Sequence, residues 1–149
     1  MSTTTSTPTA TMTLANCFVV VDDHDTALAF YRDTLGLEVQ QDVSQGDFRW
    51  LSLACPTMPG VQITIQSVAG YPGMSQADRD AMADMLAKGV LTPLIFACED
   101  VDAVFEQVRA RGAEVVQEPM DQFYGVRDCA VRDPAGNMIR FKTDLPRGD

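Results

Sequence analysis

The sequence predicts an α+β chain built from two copies of one unit: a strand, a helix and three more strands. Three observations predict it. The chain repeats itself at a nearly constant offset, each copy opens on a short apolar run followed by a helix-like segment, and turn residues divide the rest of each copy into three strand-length pieces. A shift of 76 positions sets Gly36 on Gly112, Glu38 on Glu114, Val39 on Val115, Gln41 on Gln117, Ala54 on Ala130, Gly60 on Gly136 and Ile63 on Ile139 without a gap. Upstream, a shift of 77 sets Asp23 on Asp100, Asp25 on Asp102 and Arg32 on Arg109, so one residue is absorbed where the first helix ends.

Residues 1–12 are a Ser/Thr-rich leader, read as disordered because they offer neither the basic start nor the apolar middle of a secretory signal. The first βαβββ module covers 13–67. Its opening run CFVVV (17–21) is short, β-branched and aromatic, as strands are. Behind it, 25–36 places Leu28, Tyr31 and Leu35 on one helical face; an aspartate can accept from the free N–H groups of the first turn, and Gly36 suits a left-handed exit. Strands are expected at 37–43, 47–55 and 61–67. The connector, 68–91, is marked as loop by Gly and Pro until Ser75, after which Met82, Met85 and Leu86 give a short amphipathic helix; it reads as a structural crossover packed beside the cavity, with a mobile lid as the alternative. The second module, 92–144, repeats the pattern with LIFAC (94–98), a helix over 102–112 carrying Phe105 and Val108, and strands at 113–118, 124–132 and 138–143, leaving 145–149 as a tail.

Composition removes several function classes. With 21 acidic against 11 basic residues the formal charge is -10, whereas nucleic acid or an anionic membrane needs clustered Lys and Arg; neither is expected as a partner. No window approaches the roughly 18 apolar residues of a membrane span. Cys17, Cys55, Cys98 and Cys129 stand singly among apolar residues with no Cys-x-x-Cys and no nearby histidine, which predicts reduced, buried thiols in a cytoplasmic protein rather than a zinc site.

Paired βαβββ modules with DDHDTALAFYRDTLGLEV (22–39), EDVDAVFEQVRARGAEV (99–115) and a closing RDPAGNMIRF (132–141) resemble the vicinal oxygen chelate superfamily, the glyoxalase, bleomycin-resistance and extradiol-dioxygenase group. The resemblance runs over about 13–144 and implies a curved mixed sheet from the two modules, closed around a pocket, with the connector beside it. It also implies a dimer of two identical chains. In metal-dependent members a ligand, usually His, stands on the first strand seven residues before the Asp near the helix. Another, usually Glu, lies on the last strand four residues after the turn glycine. Here those places hold Asn16 and Pro93, and Thr64 and Arg140. A guanidinium cannot coordinate a cation and repels one, so no metal and no other cofactor is expected. His24, the only histidine, reads as a solvent-facing turn residue.

Period-two alternation sorts the walls. Val61, Ile63, Ile65, Ile139 and Phe141 should pack under the helices, turning Thr64 and Arg140 toward the concave side. The same alternation turns Asn16, Phe18, Phe48, Trp50, Tyr124 and Asp128 inward, and these eight are the candidate ligand-binding residues. Trp50 either stacks on a planar ligand or fills the mouth of the sheet. Arg140 either grips an anionic group of a ligand or pairs internally with Asp128 or Glu38. The resemblance, with its ligand places vacated, implies a metal-independent small-molecule-binding protein like the bleomycin-resistance and antibiotic-sequestering branch. The alternative is a lyase, isomerase or ring-cleaving oxygenase with its chemistry moved onto Tyr124, Asp128 and Arg140. A regulatory module with its pocket plugged is the third class.

Overall fold

The computed structural model describes residues 10–70, 72–91 and 94–147; the readings placed on residues 1–9, on Pro93 and on the last two residues lie outside them. All eight expected strands form: β1 Asn16–Val21, β2 Glu38–Gln45, β3 Phe48–Ala54 and β4 Gln62–Ser67, then β5 Leu94–Ala97, β6 Glu114–Asp121, β7 Val126–Arg132 and β8 Met138–Asp144. The helices are α1 from His24–Leu28, α2 from Gln76–Ala87 and α3 from Val101–Ala110. Each module makes its own sheet, in the orders β1-β4-β3-β2 and β5-β8-β7-β6, with the first pair parallel and the others antiparallel. The predicted mixed sheet is thus divided at the module boundary into two four-stranded sheets of identical topology.

Alternation decides which face is buried. Leu51, Leu53, Ile63 and Ile65 of the first module, and Cys129, Val131, Ile139 and Phe141 of the second, lie under the helices. They form one cluster with Phe30 and Tyr31, with Val101, Phe105 and Val108 of α3, and with Leu86 of α2. After α1 the chain widens into a π-helical turn, Ala29–Thr34, with Leu35 N–H donating to Phe30 O at 3.0 Å. The wider turn lets the consecutive aromatics Phe30 and Tyr31 both face the core, at 6% and 0% exposure, which a regular helix grants less readily to neighbours.

Two further details differ from expectation, and both are duplicated. The N-caps are Asp23 and Asp100, which accept from Thr26 N at 2.8 Å and Ala103 N at 3.1 Å, two residues before the aspartates expected to open the helices. Asp25 and Asp102 instead hold arginines. Arg49 reaches Asp25 at 2.7 Å and Asp42 at 2.9 Å, while Arg127 reaches Asp102 at 2.9 Å and Asp121 at 3.1 Å. Each arginine fastens the first turn of a helix to the hairpin that follows it.

One buried polar cluster crosses the seam between modules. The turn joining β7 to β8 folds around Asp133, whose Oδ1 accepts from the backbone N–H groups of Ala135, Gly136 and Asn137 at 3.0, 2.9 and 2.8 Å. Its Oδ2 accepts from Asn137 Nδ2 at 2.9 Å and from the Tyr31 hydroxyl of the first module at 2.7 Å. Asn137 Nδ2 also donates to Val20 O on the outer edge of β1, at 2.8 Å. Burial first, and then the adjacent carboxylate, push the Tyr31 phenol far above its ordinary value, so it stays a donor. Gly136 is required at φ +112°: a Cβ there would stand 2.5 Å from Leu86 O at the end of α2.

Two outcomes are expected. Tyr31→Phe removes one charge-assisted bond from a carboxylate that stays buried, and should lower unfolding stability by about 2 kcal/mol in urea titration with an unchanged slope. Cys129 is fully buried and desolvation pushes its thiol up to about 11, so it should be silent to a disulfide-exchange reagent at neutral pH until the protein is unfolded.

Candidate functional site

The faces turned away from the helices carry the candidate residues. On the first sheet, register places Phe18 beside Thr64 and Thr64 beside Ser52. Phe18 and Trp50 meet edge to face, with ring centroids 6.0 Å apart. Phe48, two residues before Trp50, and Val43, its partner across the hairpin, are more than half exposed, so the aromatic pair sits in an open apolar surface. The Trp50 Nε1 donor is buried with no partner. Other polar groups of this face pair with one another: Thr64 donates to Asn16 Oδ1 at 3.1 Å and Ser52 to Gln62 Oε1 at 2.8 Å. Thr64 is 2% exposed, so it offers a guest little surface, whereas Asn16 is open. The connector does pack alongside: Met82 and Leu91 enclose a cavity of about 200 Å³ with Phe18, Val20 and Asn137.

On the second sheet, Arg140 lies between Ile95 and Ala130. Its guanidinium donates to Gln117 Oε1 at 3.2 Å and stands 3.7 Å from Asp128 Oδ2. The internal pairing is therefore with Asp128 and not with Glu38. Asp128, 3% exposed, also accepts from Gln117 Nε2 at 2.8 Å, Gln122 Nε2 at 3.0 Å and the Tyr124 hydroxyl at 3.3 Å. Burial alone would raise this carboxyl, but the bonds from Gln122, Gln117 and Tyr124 and the charge of Arg140 outweigh it and hold the group below its ordinary value. A carboxylate that saturated is a weak base, because its proton affinity is already low and its lone pairs are occupied. The Arg140 guanidinium keeps donors to offer: Gln117 is its one close partner and its side chain is 30% exposed.

Tyr124, Asp128 and Arg140 thus join one network, and Asn16, Phe18, Phe48, Trp50 and Thr64 share the other face; Pro93 falls outside the described residues. Gln117 and Gln122 escaped the sequence reading. Gln117 carried a signal, since it repeats Gln41 at the 76-residue offset. His24 differs from expectation: it is half-buried, with its Nε2 buried and unpartnered.

The donor set does not fit a metal. The Asn16 amide and the Thr64 hydroxyl, already bonded to each other, and the Arg140 guanidinium on the second sheet supply no anionic or imidazole ligand. Among the described residues no three His, Cys, Asp or Glu side chains converge as metal ligands.

Comparison with known proteins places this geometry. Residues 13–141 match the profile of the Glyoxalase/Bleomycin resistance protein/Dioxygenase superfamily. The uncharacterized protein YurT of Bacillus subtilis (strain 168) is 26% identical over 124 residues, which span 83% of this chain and 92% of YurT. Among solved structures, UcmS2 superposes with a TM-score of 0.82 at 31% identity, over 89% of this chain and 98% of its own. TnmS3, described as an antibiotic binding protein from Streptomyces sp. CB03234, superposes with a TM-score of 0.71 at 25% identity, over 92% of this chain and 99% of its own.

The Asp128 network generates a pH prediction. Because the native carboxyl is held low, its contribution to stability is complete above the unfolded value of about 3.9 and is lost as pH falls through the native one. Asp128→Asn should therefore cost about 1–2 kcal/mol at pH 7, and the gap from the parent should narrow below about pH 4, read by urea unfolding across pH.

Proposed function

Because the chain belongs to the Glyoxalase/Bleomycin resistance protein/Dioxygenase superfamily, we propose that it is a metal-independent binding protein of the bleomycin-resistance type, sequestering a planar or amphipathic small molecule. The observation that carries this reading is Arg140. At the place where a metal-dependent member sets its carboxylate, this chain sets a cation whose partners are Gln117 and Asp128 and whose side chain is partly exposed. A ligand with a carbonyl or anionic oxygen can accept from that guanidinium, while the Phe18 and Trp50 rings offer an apolar surface for stacking. The likeness to an antibiotic binding protein supports the same class of activity, and with it a role in antibiotic resistance.

The alternative, catalysis through Tyr124, Asp128 and Arg140, has one observation in its favour: the three are connected. The depressed Asp128 carboxyl argues against it, since a general base works best near the operating pH. Four free thiols suit a reducing, cytoplasmic setting. The exposed Phe18, Val43, Phe48 and Ile95 suit coverage by a second copy in a homodimer.

The test is binding in the absence of metal. Protein stripped with a chelator should quench Trp50 fluorescence with a planar aromatic probe such as acridine as strongly as untreated protein does. Phe18→Ala should weaken that binding about tenfold, about 1.4 kcal/mol. Affinity that disappears on chelation and returns with a divalent ion would overturn the reading. Sedimentation at micromolar concentration should show a dimer.

A further inference from the structure

One cavity among the described residues lies away from Asn16, Thr64 and Arg140. It lies further along the second sheet, at about 510 Å³, among Tyr124, Gly125, Val126, Asp144 and the tail residues Leu145, Pro146 and Arg147. That volume falls within the range of roughly 300–1,000 Å³ usual for small-molecule sites. Register puts it on the same face as Arg140: Asp128 lies beside Lys142, and Val126 beside Asp144, one and two rows further on. The tail is fixed there by Leu145 N–H, which donates to Gly125 O at 3.0 Å.

We infer that this cavity is a second small-molecule site, built for a planar aromatic carboxylic acid. The ring surface comes from Tyr124, which is 58% exposed and held by its hydroxyl on Asp128, with Phe123 standing edge-on at 5.1 Å and 98% exposed. The preference for an acid comes from the charges on the wall. Asp144 is neutralised by Lys142 at 2.7 Å, whereas Arg147 has neither an ion pair nor a hydrogen bond among the described residues. A guanidinium with no partner among the described residues, set beside an aromatic ring, suits a carboxylate, which it can take through two parallel bonds while the guest's ring lies on Tyr124. The chain's charge of -10 does not decide against this. At physiological salt, charges beyond about 8 Å are largely screened, while a contact bond is not.

The inference shares with the reading above the premise that the guest is a small molecule and the Asp128 carboxylate, which holds Tyr124 here and Arg140 there. Isotope-labelled protein is titrated with 2-naphthoate and with its uncharged amide while backbone signals are followed. Expected are shifts at Tyr124, Gly125, Leu145 and Arg147 with naphthoate, and about tenfold weaker naphthoate binding in Arg147→Gln with amide binding unchanged. Equal affinity for acid and amide, an unaffected Arg147→Gln protein, or shifts confined to Phe18 and Trp50 would each overturn the site. The last outcome would leave the proposed function standing. Failure of acridine to quench Trp50 would remove that function and leave the naphthoate result to be judged separately.

Discussion

The contact on which the two-module arrangement depends is the carboxylate of Asp133. It is 3% exposed and gathers five donors: three backbone N–H groups of its own turn, the Asn137 amide and the Tyr31 hydroxyl from the other module. A buried carboxylate is costly unless its lone pairs are filled, and here the filling requires both modules to be in place. Asn137 extends the same constraint to β1, whose outer edge would otherwise present an unpaired carbonyl at Val20. The end of α2 then closes over the glycine of that turn. A turn, an edge strand, the first helix and the connector are therefore tied through one side chain.

Duplication makes the absence of a second such contact informative. At the 76-residue offset, Asp133 and Asn137 correspond to Thr57 and Val61, and at 77 Tyr31 and Val20 correspond to Val108 and Ala97. Neither an acid nor a phenol is available to rebuild the cluster there. The 55–61 turn borders two apolar cavities instead, about 180 Å³ each, which share Cys55 and Phe96. One side of the seam is fastened by a polar cluster, and the other rests on loosely packed apolar contact. Directional bonds at one end specify the relative placement of the modules, and dispersion at the other tolerates change.

Much of this was legible in the chain because it follows from local rules stated twice. Strand positions came from β-branched runs, their facing from alternation at Ile63, Ile65, Ile139 and Phe141, and the connector helix from Ser75 as cap. What was not legible depended on distance. Asp23 and Asp25 look alike as helix openers, and only the position of Arg49, 24 residues on, decides that the first caps and the second pairs. The Asp128 cluster draws Gln117 and Gln122 from another strand and a turn, so alternation could place Asp128 inward but could not show that its acceptors were already filled. The wider turn after Leu28 was hidden because two adjacent aromatics look like a mismatch to a regular helix rather than a reason to leave it.

The two outward faces have diverged in kind while the scaffold beneath them stayed symmetric. The first sheet presents rings and self-satisfied neutral groups; the second presents an ion pair, amides and a phenol. A pair of sheets under selection for a metal would have to keep complementary ligands on both, since coordination needs contributions from each at fixed distance. Once Arg140 is present that requirement fails on the second sheet, and nothing then constrains Asn16 and Thr64 on the first, which bond to each other. Each face can then be tuned separately, one for apolar contact and one for polar recognition. Under the proposed reading, this division lets one face hold the apolar part of a guest and the other its polar part.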